Sequence, residues 1–329
     1  MNEPIRLLNL EPEGYCEEAR KILREFAHVE ERALSPQELA HDICNYDGVI
    51  LRLGYSIGAE LLSRKGKLRV IGTPTTGLDH IDVEEARRQG IQVLCLRGET
   101  EFLDTVRATA EHTLALTLAL MRRIPWAHAS VLDGVWDRDL FRGHELAGKK
   151  FGILGLGRLG KLVASCVMAL GMEVLAFDVR EGISVPGVKM VSKESLFRQC
   201  HVISVHVPLG PETVGLVGSR ELAWMRPDAF LINTSRGAIL DEQALLSALE
   251  NGRIAGAALD VLCEEPRLGK RWERLPPLVS YAREHKNLLL TPHLGGATHE
   301  SMAKTEIFLA KKIRAYFQIP LENAAGGKT

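Results

Sequence analysis

Three polar residues follow three apolar runs of the chain. Arg236 lies in Asn233-Thr234-Ser235-Arg236-Gly237, Glu265 in the segment Asp260–Pro266, and His293 in Thr291-Pro292-His293-Leu294-Gly295-Gly296. Singly, each has an ordinary explanation: a solvated arginine, a loop glutamate before proline, a turn histidine. Their shared position carries the inference, because ligands of open α/β sheets gather at the carboxyl ends of the strands. Together they suit hydride exchange at a carbon bearing a hydroxyl or carbonyl. An imidazole titrating near neutrality can take or return the hydroxyl proton. A carboxylate beside it would orient the ring, and an arginine fork can hold a substrate carboxylate.

Gly155-Leu156-Gly157-Arg158-Leu159-Gly160 supplies the matching cofactor motif. A GxGxxG alone is weak, but here an apolar run, Phe151–Leu154, precedes it and a helical pattern from Leu159 to Leu170 follows. Gly155 permits the turn, Gly157 lets backbone approach a pyrophosphate, and Gly160 lets helix and strand pack closely. The next apolar run ends in Asp178, where a carboxylate can accept ribose hydroxyls and repel a 2′-phosphate. That favours NAD over NADP, and the nearby Arg180 tempers the preference.

These groups need a frame of alternating strands and helices. Candidate strands are Ile5–Leu8, Gly48–Leu51, Arg69–Ile71 and Ile91–Leu94, then Phe151–Leu154, Glu173–Phe177, His201–His206, Ala229–Asn233, Ile254–Asp260 and Asn287–Leu290. The second series is almost continuously apolar, as expected of parallel strands covered on both faces. Helical patterns lie at Glu17–Phe26 and Val83–Gln89, and Ser35-Pro36-Gln37-Glu38 reads as a capping box. A long helix is expected over Thr105–Ile124, apolar nearly all round and so buried, with Pro125 ending it. The tail 323–329 reads as loose.

Composition bounds the class. The 329 residues suggest about two domains. Lys+Arg number 41 and Asp+Glu 42, so no basic excess points to nucleic acid. With 46% hydrophobic residues the chain can fill a core, yet its longest apolar stretch is too short for a bilayer. The start lacks the pattern of a secretory signal. Six scattered cysteines read as small core residues of a reduced compartment, with neither a disulfide frame nor a metal site. The expectation is a cytoplasmic globular protein.

Taken together, Gly77-Leu78-Asp79-His80-Ile81-Asp82, Gly155–Gly160, His206-Val207-Pro208 with Glu212-Thr213, Asn233–Gly237, Asp260–Pro266 and Thr291–Thr298 resemble the D-isomer-specific 2-hydroxyacid dehydrogenases, in particular those acting on phosphoglycerate. The resemblance spans nearly the whole chain. It implies an α/β protein of two Rossmann-like, doubly wound parallel-sheet domains. The NAD-binding domain (100–297) would be inserted into a flavodoxin-like substrate domain (1–99 and 298–329). Arg236, Glu265 and His293 would be the catalytic trio. NAD would be held by the three glycines with Arg158, Leu159 and Asp178, by His206, Val207, Pro208 and Thr213, and by Thr234, Ser235, Arg236 and Asp260. His293, Gly295 and Gly296 would close its nicotinamide end. Thr76 and Gly77 would receive the substrate carboxylate, with Arg52 approaching the anion. The implied partners are a small anionic hydroxy or keto acid and a second copy of the chain through the long helix. Glyoxylate or hydroxypyruvate, another 2-keto acid, a sugar-acid derivative or an inorganic oxyanion are alternative substrates. An NAD-sensing, corepressor-like interaction protein is a more distant alternative, for which an intact trio would have no required role. Two segments depart from the family pattern by being longer, Gly98–Arg107 and Lys270–His285.

Overall fold

The structure is a computed structural model that describes residues 3–64, 66–263, 265 and 271–318. The expected loose tail, Glu264, Pro266 and the start of the Lys270–His285 segment lie outside the described residues. The chain divides into two compact units with a boundary between Val106 and Arg107. The described residues from 298 onward return to the first unit, and 271–297 belong to the second.

The first unit holds β1 (Arg6–Asn9), β2 (His28–Glu31), β3 (Gly48–Ile50), β4 (Val70–Gly72) and β5 (Gln92–Leu94). All pairings are parallel, in the order β2-β1-β3-β4-β5. That is the flavodoxin-like order. Successive residues of a strand face opposite sides. Leu8, Val49 and Ile71 therefore join one apolar layer, while Leu7, Ile50 and Val70 join the other. The second layer is completed by the helices Glu17–Arg24 and His299–Gln318, through Ala19, Leu23, Leu309 and Ile313. Ser35 caps the helix Pro36–Asp42, and Glu38 returns the bond to the Ser35 N–H, so the capping box forms as expected.

The second unit holds β6 (Lys150–Leu154), β7 (Glu173–Phe177), β8 (Val188–Met190), β9 (Val202–Val205), β10 (Phe230–Asn233), β11 (Gly256–Leu259) and β12 (Leu288–Leu290). Their order is β12-β11-β10-β9-β6-β7-β8, again all parallel. This is the doubly wound dinucleotide-binding order extended by one strand, and the direction in which successive strands are added reverses between β6 and β9. Leu231, Leu245 and Leu259 pack in the layer on one face of the sheet. Phe151, Val163 and Ile232 pack in the layer on the other.

Two strands escape the apolar pattern, and both lie at sheet edges. β2 reads His-Val-Glu-Glu, and its glutamates meet Arg20, Arg6 and Arg32. β8, with a central lysine, is mostly exposed. Charged residues suit an edge strand, which has no sheet neighbour on one side.

The long helix also needs correction. It runs over Ala108–Met121, and its Ala110, Thr113, Leu116, Thr117, Leu120 and Met121 are buried as expected. Pro125 does not end it. Arg122 is its C-cap, Arg123 adopts a left-handed conformation (φ 58°), and Pro125 sits in the first turn of a second helix, Ile124–Leu132. A proline lacks only an N–H that the first turn leaves unbonded, so it starts a helix as readily as it stops one. The cysteines are likewise less uniform than core residues would be. Cys200 is buried and Cys263 exposed, with the other four between. The segment Gly98–Arg107 contains a short helix, Thr100–Leu103, and the described part of the other long segment contains Pro277–Glu284.

Phe151 is fully buried in the middle of the second sheet. Phe151→Ala is expected to cost about 3–5 kcal/mol of unfolding free energy, measured as a lower urea midpoint of the second unit's transition.

Candidate active site

The glycine loop follows β6 where the strand order reverses. Gly155 has φ +97°, and a Cβ there would lie 2.8 Å from Val207 and 3.0 Å from the His206 backbone. Gly155 N–H donates to Phe177 O and His206 N–H to Leu154 O, so the turn is tied to both neighbouring strands. A Cβ on Gly160 would meet Gly155 O at 2.3 Å, which fixes glycine there by helix–strand approach. Gly157 differs: only Arg180 Nη2 comes within 4.0 Å of a Cβ placed on it. Gly157 is the N-cap of the helix Arg158–Ala169 and provides no side-chain cap. Its open side and the helix's first N–H groups fit a pyrophosphate. Arg158 and Leu159 open that helix, beside the loop.

Asp178 follows β7 and leans back over the loop. It accepts Leu156 N–H (2.8 Å), Arg180 N–H (3.0 Å), Arg180 Nε (2.9 Å) and Arg180 Nη2 (2.9 Å). The Arg180 guanidinium holds the Asp178 carboxyl below its usual range, against the opposing effect of burial. After β9, His206 Nε2 meets Ser204 Oγ at 2.9 Å, and burial pushes the imidazole pKa down to about 4. Thr213 ties the turn that begins at Pro208, donating to Pro208 O and accepting Gly210 N–H. Val207 stands against Gly155 as described.

The segment after β10 is held from within. Asn233 Nδ2 donates to Arg236 O, Ser235 N–H donates to Asn233 Oδ1, and Ser235 Oγ reaches Val205 O at 2.8 Å. Thr234 Oγ1 meets Thr113 Oγ1 of the long helix at 2.9 Å. Arg236 Nη1 donates to Ser235 O. Gly237 is packed so tightly against Leu262 and Cys263 that a Cβ would overlap them, which brings the segments after β10 and β11 together.

After β11 and β12, His293 and Glu265 come together. His293 Nδ1 lies 2.7 Å from Glu265 Oε2, and Glu265 Oε1 accepts Leu262 N–H at 3.1 Å. His293 itself is left-handed, φ 55°, unusual for a residue with a side chain. Asp260 secures that turn. Its carboxylate, only 1% exposed, accepts Leu294 N–H (2.7 Å), Gly295 N–H (2.8 Å) and Thr291 Oγ1 (2.6 Å), while its carbonyl accepts His293 N–H (2.9 Å). His112 Nε2 approaches the same carboxylate at 3.1 Å and Thr291 Oγ1 at 3.1 Å. Burial alone would raise the Asp260 pKa, but the bonds from His112, Thr291 and Leu294 outweigh it and hold it below the usual carboxylate range. A Cβ on Gly295 would lie 3.1 Å from Asp260 Oδ2, whereas Gly296 is open.

His112, on the long helix, is thus a bracing member of this site that lies outside every motif named from the sequence. Its signal was a lone polar ring on an otherwise apolar helix. The Asp260 carboxylate, expected to face the cofactor, is occupied in holding the turn that carries His293.

In the first unit, the turn after β4 is braced by Thr75 Oγ1, which donates to Gly77 O and meets Thr73 Oγ1. Thr76 is exposed there. Arg52 is turned inward instead of outward: its guanidinium donates to Glu11 O, Glu13 O and Glu306 Oε1. Glu306 is 1% exposed, and burial raises its pKa.

The two doubly wound sheets and the glycine loop define a dinucleotide-binding protein, and the His–Glu pair at the strand ends narrows the kind. A sequence model of the D-isomer specific 2-hydroxyacid dehydrogenase NAD-binding domain matches residues 114–295. The chain belongs to this family of dehydrogenases. It is 39% identical over 298 residues to the D-3-phosphoglycerate dehydrogenase of Synechocystis sp., covering 89% of this chain and 51% of that protein. It is 37% identical over 290 residues to the human D-3-phosphoglycerate dehydrogenase, 87% of this chain and 52% of that protein. The chain therefore spans about half the length of these relatives. Among solved structures it resembles the Aquifex aeolicus D-lactate dehydrogenase complexed with NAD and lactic acid (27% identity, TM-score 0.84, covering 98% and 100% of the two chains). An acyclic imino acid reductase in complex with NADPH and D-Arg is also similar (27% identity, TM-score 0.81, covering 96% and 99%).

Asp260→Ala leaves four donors without their acceptor, and is expected to cost about 3 kcal/mol or more of the second unit's stability at pH 7. The Asp260 pKa is lower folded than unfolded, so its contribution is complete above about pH 4 and lost as pH falls below that. Urea midpoints of wild type and variant should converge in acid.

Proposed function

We propose that the protein is an NAD-dependent oxidoreductase that moves a hydride between nicotinamide and a small D-2-hydroxy acid or its 2-keto acid. The observation that carries this reading is the His293–Glu265 pair, 2.7 Å apart at the strand ends of the sheet that bears the glycine loop. NAD, when bound, supplies the hydride acceptor. His293 takes the hydroxyl proton during oxidation and returns it during reduction, through Nε2. Glu265 accepts the Nδ1–H, fixes that tautomer and balances the charge the ring acquires with the proton. Arg236 holds the substrate carboxylate and polarises the adjacent carbonyl.

The glycine loop and the helix starting at Arg158 receive the pyrophosphate. Asp178 lies toward the adenosine ribose, and the segments at 206–208, 213, 234–236 and 293–296 surround the rest of the cofactor. We assign the first unit as the substrate domain and the second as an insertion over about 100–297. Thr76 and Gly77 in the first unit are assigned to the substrate carboxylate. The inward bonds of Arg52 make it a support for that unit's loops more than a substrate contact. Phosphoglycerate is the first substrate to test, since the curated relatives bear that name. Glyoxylate and hydroxypyruvate follow. The scattered cysteines, with no spacing that suggests a disulfide frame, accord with a reducing cytoplasmic setting.

A homodimer is part of the proposal. No residue of the helix Ile124–Leu132 is fully buried within the chain; Leu132 at its end is 73% exposed, and Trp136 and Leu140 beyond it are 88% and 57% exposed. A second copy covering this apolar surface would remove it from water. Sedimentation of wild type should show a dimer and Trp136→Glu a shift toward the 36.3 kDa monomer; a monomeric wild type overturns the assignment.

For the chemistry, NADH oxidation should be followed with a panel of 2-keto acids. At least one should support turnover, and none doing so while NADH binds would end the enzyme reading. His293→Ala should lower kcat by about 10²–10⁴-fold while NADH affinity, read by fluorescence titration, stays nearly unchanged.

A further inference from the structure

In the loop that follows β4, the carbonyls are bonded and the N–H groups of the same peptide units are not. Thr75 O accepts Leu96 N–H (2.9 Å), Thr76 O accepts Arg97 Nε (3.3 Å), and Gly77 O accepts the Thr75 hydroxyl (2.8 Å). The N–H groups of Thr76, Gly77 and Leu78, which complete those peptide units, donate to no acceptor among the described residues. The peptide bonds are trans, so each N–H points away from the carbonyl of its own unit. A donor that holds the carbonyl therefore fixes the direction in which the N–H is offered.

Of these three donors only Arg97 is charged. A cation on a peptide oxygen draws electron density from the peptide nitrogen and makes that unit's N–H a stronger donor. The N–H opposite Thr76 O belongs to Gly77. Arg97 itself is exposed, and it leads into Gly98–Arg107, a segment that departs from the family pattern. The segment is pinned to the helix His299–Gln318. Phe102 stacks on Phe308 with ring centroids 4.0 Å apart, Lys312 Nζ donates to Cys95 O and Glu99 Oε1, and Lys304 Nζ donates to Thr105 O. Glu99, the acid nearest in sequence, is thereby engaged by Lys312, while the Arg97 guanidinium bonds the loop carbonyl.

We propose that Arg97 is a positioning residue for the substrate carboxylate, acting through the Thr76–Gly77 peptide, and that the Gly98–Arg107 segment holds it there. The guanidinium stays on the carbonyl side of that peptide and does not touch the substrate. Its charge reaches the carboxylate as a stronger and better directed bond from Gly77 N–H. The inference rests on the assignment of Thr76 and Gly77 to the substrate carboxylate.

Steady-state reduction by NADH tests it, with the 2-keto acid that turns over best in a panel including glyoxylate, hydroxypyruvate and 3-phosphohydroxypyruvate. Arg97→Ala should raise KM for that acid about five- to twentyfold and leave kcat within about twofold, as expected of a bond equally strong in ground and transition states. The retained kcat shows that the variant is folded. Arg97→Lys, which keeps a cation for Thr76 O, should return KM to within about threefold of wild type. Arg97→Gln, a neutral donor, should keep most of the rise. A KM change below about threefold in Arg97→Ala, a fall in kcat as large as that in kcat/KM, or rescue by Gln as complete as by Lys overturns the proposal and leaves the dehydrogenase reading standing. Absence of wild-type turnover across the panel would overturn both.

Discussion

The second unit depends on one buried anion. Asp260, at the end of β11, gathers backbone N–H groups of Leu294 and Gly295, the hydroxyl of Thr291 and the ring of His112. The carbonyl of the same residue receives the N–H of His293. A left-handed histidine is a strained residue and persists only where its surroundings over-determine it. The bonds to Asp260 do that here, so the ring that meets Glu265 is aimed by a neighbouring strand end as well as by its own. Burying a carboxylate is unfavourable on its own, and the set of donors reverses the balance. Reach between segments distant in sequence is built into this arrangement: a helix before the glycine loop, the end of β11 and the turn after β12 meet at one carboxylate.

Charge is placed locally with little net effect. A formal total of −1 hides several separate pairings. Arg52 and Glu306 meet inside the first unit, Arg180 and Asp178 over the glycine loop, and His112 and Asp260 beside the turn that carries His293. In these three pairings a buried or half-buried carboxylate faces a basic side chain, which offsets part of its desolvation penalty. It also means that an arginine or aspartate in a binding motif is not automatically available to a ligand. Arg52 and Asp178 both carry motif positions, and both are already engaged by their own chain.

Much of the fold was legible because both sheets are parallel and covered on both faces, which demands nearly unbroken apolar strands. Ten of the strands could be read from that pattern. The two that could not, β2 and β8, lie at sheet edges, where one side needs no cover and charged residues are favoured. Pro125 misled because proline has the same local geometry at a helix start as after a helix end. Only the left-handed Arg123 shows which applies. His112 was invisible for another reason: a single histidine on an apolar helix looks the same whether it packs quietly or meets a carboxylate 148 residues away.

The sequence by itself determined the two doubly wound units, the position of the glycine loop and the occurrence of Arg236, Glu265 and His293 after successive strands. Those features follow from local rules, since strand burial, turn geometry and strand ends are properties of neighbouring residues. Only the tertiary structure decided how these groups are engaged. It brought Glu265 to His293, gave Asp260 to the His293 turn, covered Asp178 with Arg180 and turned Arg52 inward. Apart from Asp178 and Arg180, which are neighbours in the chain, these bonds join residues at least 28 positions apart; they depend on the packing of whole elements, and no spacing in the sequence encodes their distances.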